Sequence, residues 1–126
     1  MRDAAIELRG GLGAGKTTFA RHLLRALGVA GRIKSPSYAI VETYEAPGLA
    51  AAHFDFYRFT DPREWEDAGL RELFAADGLK LVEWPEKAEA VLPPPDLQLL
   101  IDPAADGTRR VTWQALTPRG VTLLPQ

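Results

Sequence analysis

The chain has 126 residues, of which 46% are hydrophobic and 25% charged. That is the composition of one globular domain, and it excludes a chain left unfolded for want of apolar surface. Cysteine is absent and only His22 and His53 supply imidazoles, which excludes disulfides, thiolate metal sites and a Cys nucleophile, and leaves no histidine cluster for zinc. The formal charge is −2, which argues against broad, nonspecific nucleic-acid binding. It is unevenly spread, with a basic excess over 1–63 and an acidic excess over 64–126, so an anionic ligand suits the first half and a protein partner the second.

The start of the chain is not patterned as a signal peptide, because acidic residues interrupt it, and no apolar run approaches membrane-spanning length. The expected location is the cytoplasm. Asp3 to Arg9 reads as a short buried strand, followed by a glycine-rich turn over Gly10–Gly15. Residues 16–27 carry helical periodicity, with Phe19, Leu23, Leu24 and Leu27 on one face and Gly28 as the stop. Ser35-Pro36-Ser37 is a turn before a strand over Tyr38–Tyr44, and Pro47-Gly48 is a turn before a second strand over Ala50–Tyr57. A helix starts near Thr60-Asp61-Pro62, presents Trp65, Leu70, Leu73 and Phe74, and is broken near Gly69. Leu79–Val82 is an apolar strand ending at Glu83, Pro85–Val91 a short helix, and Pro93–Pro95 a stiff connector. The remainder reads as an antiparallel meander: strands at 96–101, 109–115 and 121–124, with turns at Asp106-Gly107 and Pro118–Gly120. Strand and helix alternation predicts an α/β fold with a mainly parallel central sheet and antiparallel edge strands at the C-terminal end.

Gly10-Gly11-Leu12-Gly13-Ala14-Gly15-Lys16-Thr17 fits Gly, four residues, Gly, Lys, Ser/Thr without exception, between a predicted strand and a predicted helix. Small residues let backbone N–H groups turn inward around phosphate oxygens, and the helix N-terminus adds positive partial charge. Gly11, Leu12, Gly13, Ala14, Gly15, Lys16, Thr17 and Thr18 are therefore the candidate nucleotide-binding residues. Lys16 would reach the terminal phosphates, and the Thr17 hydroxyl would ligate Mg²⁺. A P-loop nucleoside triphosphatase fold also needs a carboxylate at the end of a neighbouring strand. Asp55 and Glu83 both qualify, and the residues themselves do not separate their roles. GTP recognition through Asn/Thr-Lys-x-Asp is excluded, because Asn is absent and no Lys has Asp two positions later. ATP, with ADP as product and Mg²⁺ as metal, is the expected ligand.

Four blocks in order, Leu12–Phe19, Lys34-Ser35-Pro36-Ser37-Tyr38, His53-Phe54-Asp55-Phe56-Tyr57-Arg58 and Leu81-Val82-Glu83-Trp84-Pro85-Glu86, resemble the TsaE (formerly YjeE) family. These are bacterial ATPases needed for tRNA threonylcarbamoyladenosine synthesis. The resemblance runs from about Leu8 to Ile101. It implies a single P-loop ATPase domain over 1–126, and Lys16, Asp55 and Glu83 as the catalytic set. Thr17 and Glu83 fall on the magnesium side. It implies a γ-phosphate-sensing segment containing Ser35 and Ser37, with Trp84 at the activity or partner surface. Tyr57 and Arg58 match the motif, Arg58 as a candidate charge stabiliser, and His53 is read as a hydrogen-bonded structural histidine. The implied partners are TsaB–TsaD-like proteins, with tRNA reached only through that complex, and the implied intrinsic turnover is low and partner-stimulated.

The sequence departs from the family pattern in three places. Gly11 stands where an acidic residue or Asn is usual, Ser37 stands for Thr but keeps the hydroxyl, and nine residues precede Gly10 where some thirty are usual, so the family's N-terminal segment is short or missing. A small-molecule kinase, with Asp55 as base, and a non-hydrolysing nucleotide-binding adaptor are the alternative readings.

Overall fold

The computed structural model describes residues 3–11, 15–31, 33, 41–57, 59, 63, 65, 69–103 and 106–123. Six strands, β1 (Ala5–Arg9), β2 (Val41–Ala46), β3 (Leu49–Asp55), β4 (Leu79–Glu83), β5 (Leu97–Pro103) and β6 (Arg109–Ala115), form one sheet in the order β2-β3-β4-β1-β5-β6. The four central strands β3, β4, β1 and β5 run parallel. Helix α1 (Lys16–Ala26) leaves the loop after β1, α2 (Leu70–Ala75) precedes β4, a 3₁₀ turn (Pro85–Ala88) follows it, and α3 (Pro118–Leu123) ends the described chain.

The parallel core is as the alternation predicts, but antiparallel strands flank it on both edges. β5 and β6 pair antiparallel at the C-terminal end as expected, and β2 pairs antiparallel with β3 at the opposite edge. The cause is the two-residue connection Pro47-Gly48, with Gly48 at φ 71°. Parallel neighbours require a long crossover, so a chain that turns in two residues returns antiparallel. The described strand covers Val41–Ala46 rather than 38–44, and 38–40 lie outside the described residues.

The third strand of the expected C-terminal meander is instead helix α3. Pro118 occupies the first helical position, where its missing N–H costs nothing. The Thr117 hydroxyl accepts from Gly120 N–H at 3.0 Å and donates to the Asp96 carboxylate at 2.7 Å, a side-chain cap that fixes the helix start. Gly120 is there for space: a Cβ would sit 1.8 Å from the Asp96 carbonyl oxygen. The same Pro and Gly that mark a turn in sequence here open and pack a helix. In the middle of the chain, Gly69 at φ 70° precedes α2, consistent with the expected break; most of the segment from Thr60 to Ala68 lies outside the described residues. The expected helix over 85–91 shortens to the 3₁₀ turn.

Strand alternation divides the apolar side chains between the two faces of the sheet. Ile6, Leu8, Leu79, Leu81, Leu97 and Leu99 pack with Ala20 and Leu24 of α1. Ala52, Phe54 and Val82 pack on the other face with Phe56, Trp65, Leu70 and Phe74. Each fully buried Leu or Phe contributes about 1.5–3 kcal/mol. The C-terminal ends of β1, β3 and β4 therefore meet the N-terminus of α1 at one end of the sheet, where α/β proteins bind ligands.

Candidate functional site

Helix α1 begins directly at Lys16, with Gly15 at φ 99° as its left-handed N-terminal neighbour. Leu12, Gly13 and Ala14 lie outside the described residues, as do Ser35, Ser37 and Arg58. Gly11 is exposed at the loop entry and Thr18 is exposed on the first turn of α1. Above Gly15 lies the Arg109 side chain of β6, where a Cβ on Gly15 would stand 3.1 Å from the Arg109 Nε.

Lys16 is buried, 5% exposed. Its ammonium donates to the Gly10 carbonyl at 2.9 Å and stands 3.5 Å from the centroid of the Trp84 ring. Burial lowers its pKa below the ordinary lysine value, opposed by the carboxylates of Glu83, Glu86 and Asp55. The Thr17 hydroxyl lies 3.0 Å from both carboxylate oxygens of Glu83. Glu83 ends β4, a strand buried throughout, and is itself 2% exposed. His53 Nε2 lies 2.6 Å from Glu83 Oε2, and His53 is 1% exposed.

Asp55 ends β3 in register with Glu83. It accepts from the Tyr57 N–H at 3.0 Å. Burial raises its pKa above the usual carboxylate value. The Tyr57 hydrogen bond opposes that rise, Glu83 adds to it, and His53 and Lys16 oppose it. Trp84 follows Glu83 with φ 55° and ψ 48°, the one positive-φ non-glycine among the described residues. Its ring lies 5.0 Å from that of Tyr57, which is 47% exposed.

The structure thus brings together Lys16, Thr17, Asp55, Glu83 and Trp84, residues up to 68 positions apart in sequence. The oxygen donors of Thr17 and Glu83 are the hard ligands that Mg²⁺ takes, completing its shell with phosphate oxygens and water. Among the described residues no group of three or more His, Asp or Glu is arranged to hold a metal. Beside the loop, Thr18, Phe19, His22, Ile101, Arg109 and Val111 line a mainly apolar recess of about 360 Å³.

The hydrogen-bonded histidine expected at position 53 is found, with Glu83 as its partner, whereas Arg109 was not anticipated. A signal existed for His53: the alternation His53-Phe54-Asp55-Phe56 sends the phenylalanines to one face, and His53 with Asp55 to the face of Glu83. Nothing in the sequence places Arg109 over Gly15, because strand β6 arrives from the far side of the sheet order.

Residues 1–111 match the family described as threonylcarbamoyl adenosine biosynthesis protein TsaE. The tRNA threonylcarbamoyladenosine biosynthesis protein TsaE of Haemophilus influenzae is 41% identical over 94% of this chain and 75% of its own length. Its namesake in Bacillus subtilis is 40% identical over 90% of this chain and 71% of that protein. The crystal structure of B. subtilis YdiB superposes with a TM-score of 0.80 at 33% identity, covering 98% of this chain and 76% of that one. A family match over most of the chain, with these identities and the shared architecture, means that the chain belongs to the TsaE family, whose members take part in tRNA threonylcarbamoyladenosine biosynthesis.

Proposed function

We propose that the protein is a P-loop, Mg²⁺-dependent ATPase of the threonylcarbamoyladenosine pathway, hydrolysing ATP to ADP in the cytoplasm and acting on a TsaB–TsaD-like complex that holds the tRNA. The observation that carries the reading is the Thr17 hydroxyl 3.0 Å from the Glu83 carboxylate, at the helix N-terminus that follows a phosphate-loop sequence. A hydroxyl and a carboxylate from two distant segments, facing each other beside a buried ammonium, form the constellation phosphoryl transfer requires.

Lys16 takes the β- and γ-phosphates, exchanging the Gly10 carbonyl for phosphate oxygens. Thr17 and Glu83 hold the metal side, Glu83 directly or through water. Bound magnesium would supply charge neutralisation across the phosphate oxygens. Asp55, one strand over, is placed to orient the attacking water, and a raised pKa suits a group that handles protons. The recess between α1 and β6 offers the adenine an apolar wall. Segment 34–38, with Ser35 and Ser37, is assigned to sensing the γ-phosphate. Trp84, partly exposed beside Tyr57, is assigned to the partner-facing side.

The test is phosphate release from Mg-ATP, with and without the TsaB–TsaD-like proteins. Slow turnover that rises on their addition, and that is lost in Lys16→Ala while circular dichroism stays unchanged, is expected. Turnover unaltered in Lys16→Ala overturns the reading. Transfer of phosphate to a metabolite, or nucleotide binding without turnover, would instead favour a kinase or an adaptor.

A further inference from the structure

We infer that His53 is a positioning residue for Glu83: its Nε2–H fixes which carboxylate oxygen is left to the Thr17 hydroxyl and the metal. The inference rests on the assignment of Thr17 and Glu83 to the magnesium side and extends it to a residue that would not touch nucleotide or ion.

The geometry sets an ambiguity and then removes it. The Thr17 Oγ1 is 3.0 Å from Oε1 and 3.0 Å from Oε2 of Glu83. A hydroxyl has one hydrogen and can direct it fully to only one of them. Left to itself the pair has two equivalent arrangements, and the Thr17 lone pairs point differently in each. His53 Nε2 lies 2.6 Å from Oε2, with both side chains almost entirely buried. The inference places the proton on this nitrogen, since a carboxylate is an acceptor. One lone pair of Oε2 is thereby taken by a charge-assisted bond, which makes Oε1 the better acceptor for the Thr17 hydrogen and leaves the Thr17 lone pairs to face a cation.

The placement of His53 is not that of a histidine filling a core gap. It lies on β3 two residues before Asp55, on the face that carries Leu81 and Glu83 of the neighbouring strand. The aromatic cluster occupies the opposite face, through Phe54 and Phe56. A leucine of similar size would satisfy packing there, whereas only a donor satisfies the buried Glu83 oxygen. Residues that orient the ligands of a metal typically change metal affinity or activity about 10–100-fold when removed.

The experiment compares ADP binding by calorimetry in Mg²⁺ and in excess EDTA, for wild type, His53→Leu, His53→Gln and Glu83→Gln. The readout is the ratio of the two affinities, which loss of packing alone does not change. In His53→Leu the Mg²⁺-dependent gain should fall about 10-fold or more. His53→Gln, whose amide N–H reaches nearly the same point, should recover most of it. An unchanged ratio in His53→Leu, with Glu83→Gln having lost the gain, overturns the role of His53 and leaves Glu83 standing. Retention of the gain in Glu83→Gln overturns the Glu83 assignment and the present inference with it. Should His53→Leu fail to fold, ¹⁵N-histidine NMR of the wild-type protein decides. Nε2 must be the protonated nitrogen, and its hydrogen bond must persist when Mg-ADP is added. An unprotonated Nε2 refutes the inference.

Discussion

Glu83→Gln separates a structural from a functional carboxylate, because the structure says what each would cost. The side chain meets His53 Nε2 at 2.6 Å and the Thr17 hydroxyl at 3.0 Å from each oxygen. A glutamine of the same shape can keep both partners: its oxygen accepts from His53, and its amide donates to the Thr17 oxygen, whose own hydrogen rotates away. No buried group is orphaned, and the loss is that of converting a charge-assisted hydrogen bond into a neutral one, about 1 kcal/mol. In a chain of this length that lowers the melting midpoint by about 3–5 °C. Removal of the formal charge from a site proposed to balance a triphosphate and its metal is larger. A lost preorganised electrostatic contact costs about 10²–10³ in turnover, or 2.7–4 kcal/mol. The assay is phosphate release at saturating Mg-ATP, paired with urea unfolding of the same preparation. Retention of more than half of wild-type turnover, once corrected for the folded fraction, would refute the reasoning and make Glu83 a strut between β4 and α1.

Asp55→Asn should raise stability at neutral pH while lowering turnover. Its folded pKa is raised by burial, so the folded state binds the proton more tightly than the unfolded one. The aspartate then loses stability as pH climbs from its unfolded pKa through its folded one. Urea titrations at pH 7 and pH 3 check the sign: the stabilising effect of Asn should be present at pH 7 and vanish at pH 3. Gly120→Ala should destabilise the fold by at least about 2 kcal/mol, because the new methyl lies 1.8 Å from the Asp96 carbonyl oxygen and one backbone must give. An unchanged urea midpoint would show that α3 packs elsewhere.

The legible part of this fold was the part in which one local signal served one purpose. β1, α1 and its stop at Gly28 follow one another in sequence and in space, so periodicity and glycine spacing sufficed. Leu79–Glu83 was legible for the same reason: a short apolar run ending in an acid has few alternatives to a buried central strand. Pro118 and Gly120 misled because each residue type has two uses, punctuation of a turn and opening or close packing of a helix. Only the Asp96 backbone and side chain, 21 residues from the Thr117 cap, decide between them. The β2–β3 edge was readable in principle from a two-residue Pro-Gly connection, which forces antiparallel return. The site divides in the same way. Lys16 and Thr17 announce themselves by pattern, whereas the choice between Asp55 and Glu83 for Thr17 depends on β3 and β4 lying side by side, in a register that no local spacing encodes.

Trp84 shows how that register becomes a site. Trp84 packs against the edge of the Phe54 cluster, and a strand continued past Glu83 would hold it in extended backbone. Instead the backbone enters the left-handed region at φ 55°, which costs a non-glycine residue about 1–3 kcal/mol and persists only where surrounding structure imposes it. Buried Pro85 follows at once, and the Tyr57 ring lies 5.0 Å away. The consequence is local and specific. The chain turns at the end of β4 so that the carboxylate of one residue faces Thr17 while the ring of the next covers the ammonium of Lys16. An aromatic face holds a cation without claiming its hydrogen-bond donors. It can therefore keep the Lys16 ammonium in place while those donors pass from the Gly10 carbonyl to phosphate oxygens. The strain at Trp84 is thus the means by which one strand end supplies both the acid and the aromatic wall of the proposed phosphate site.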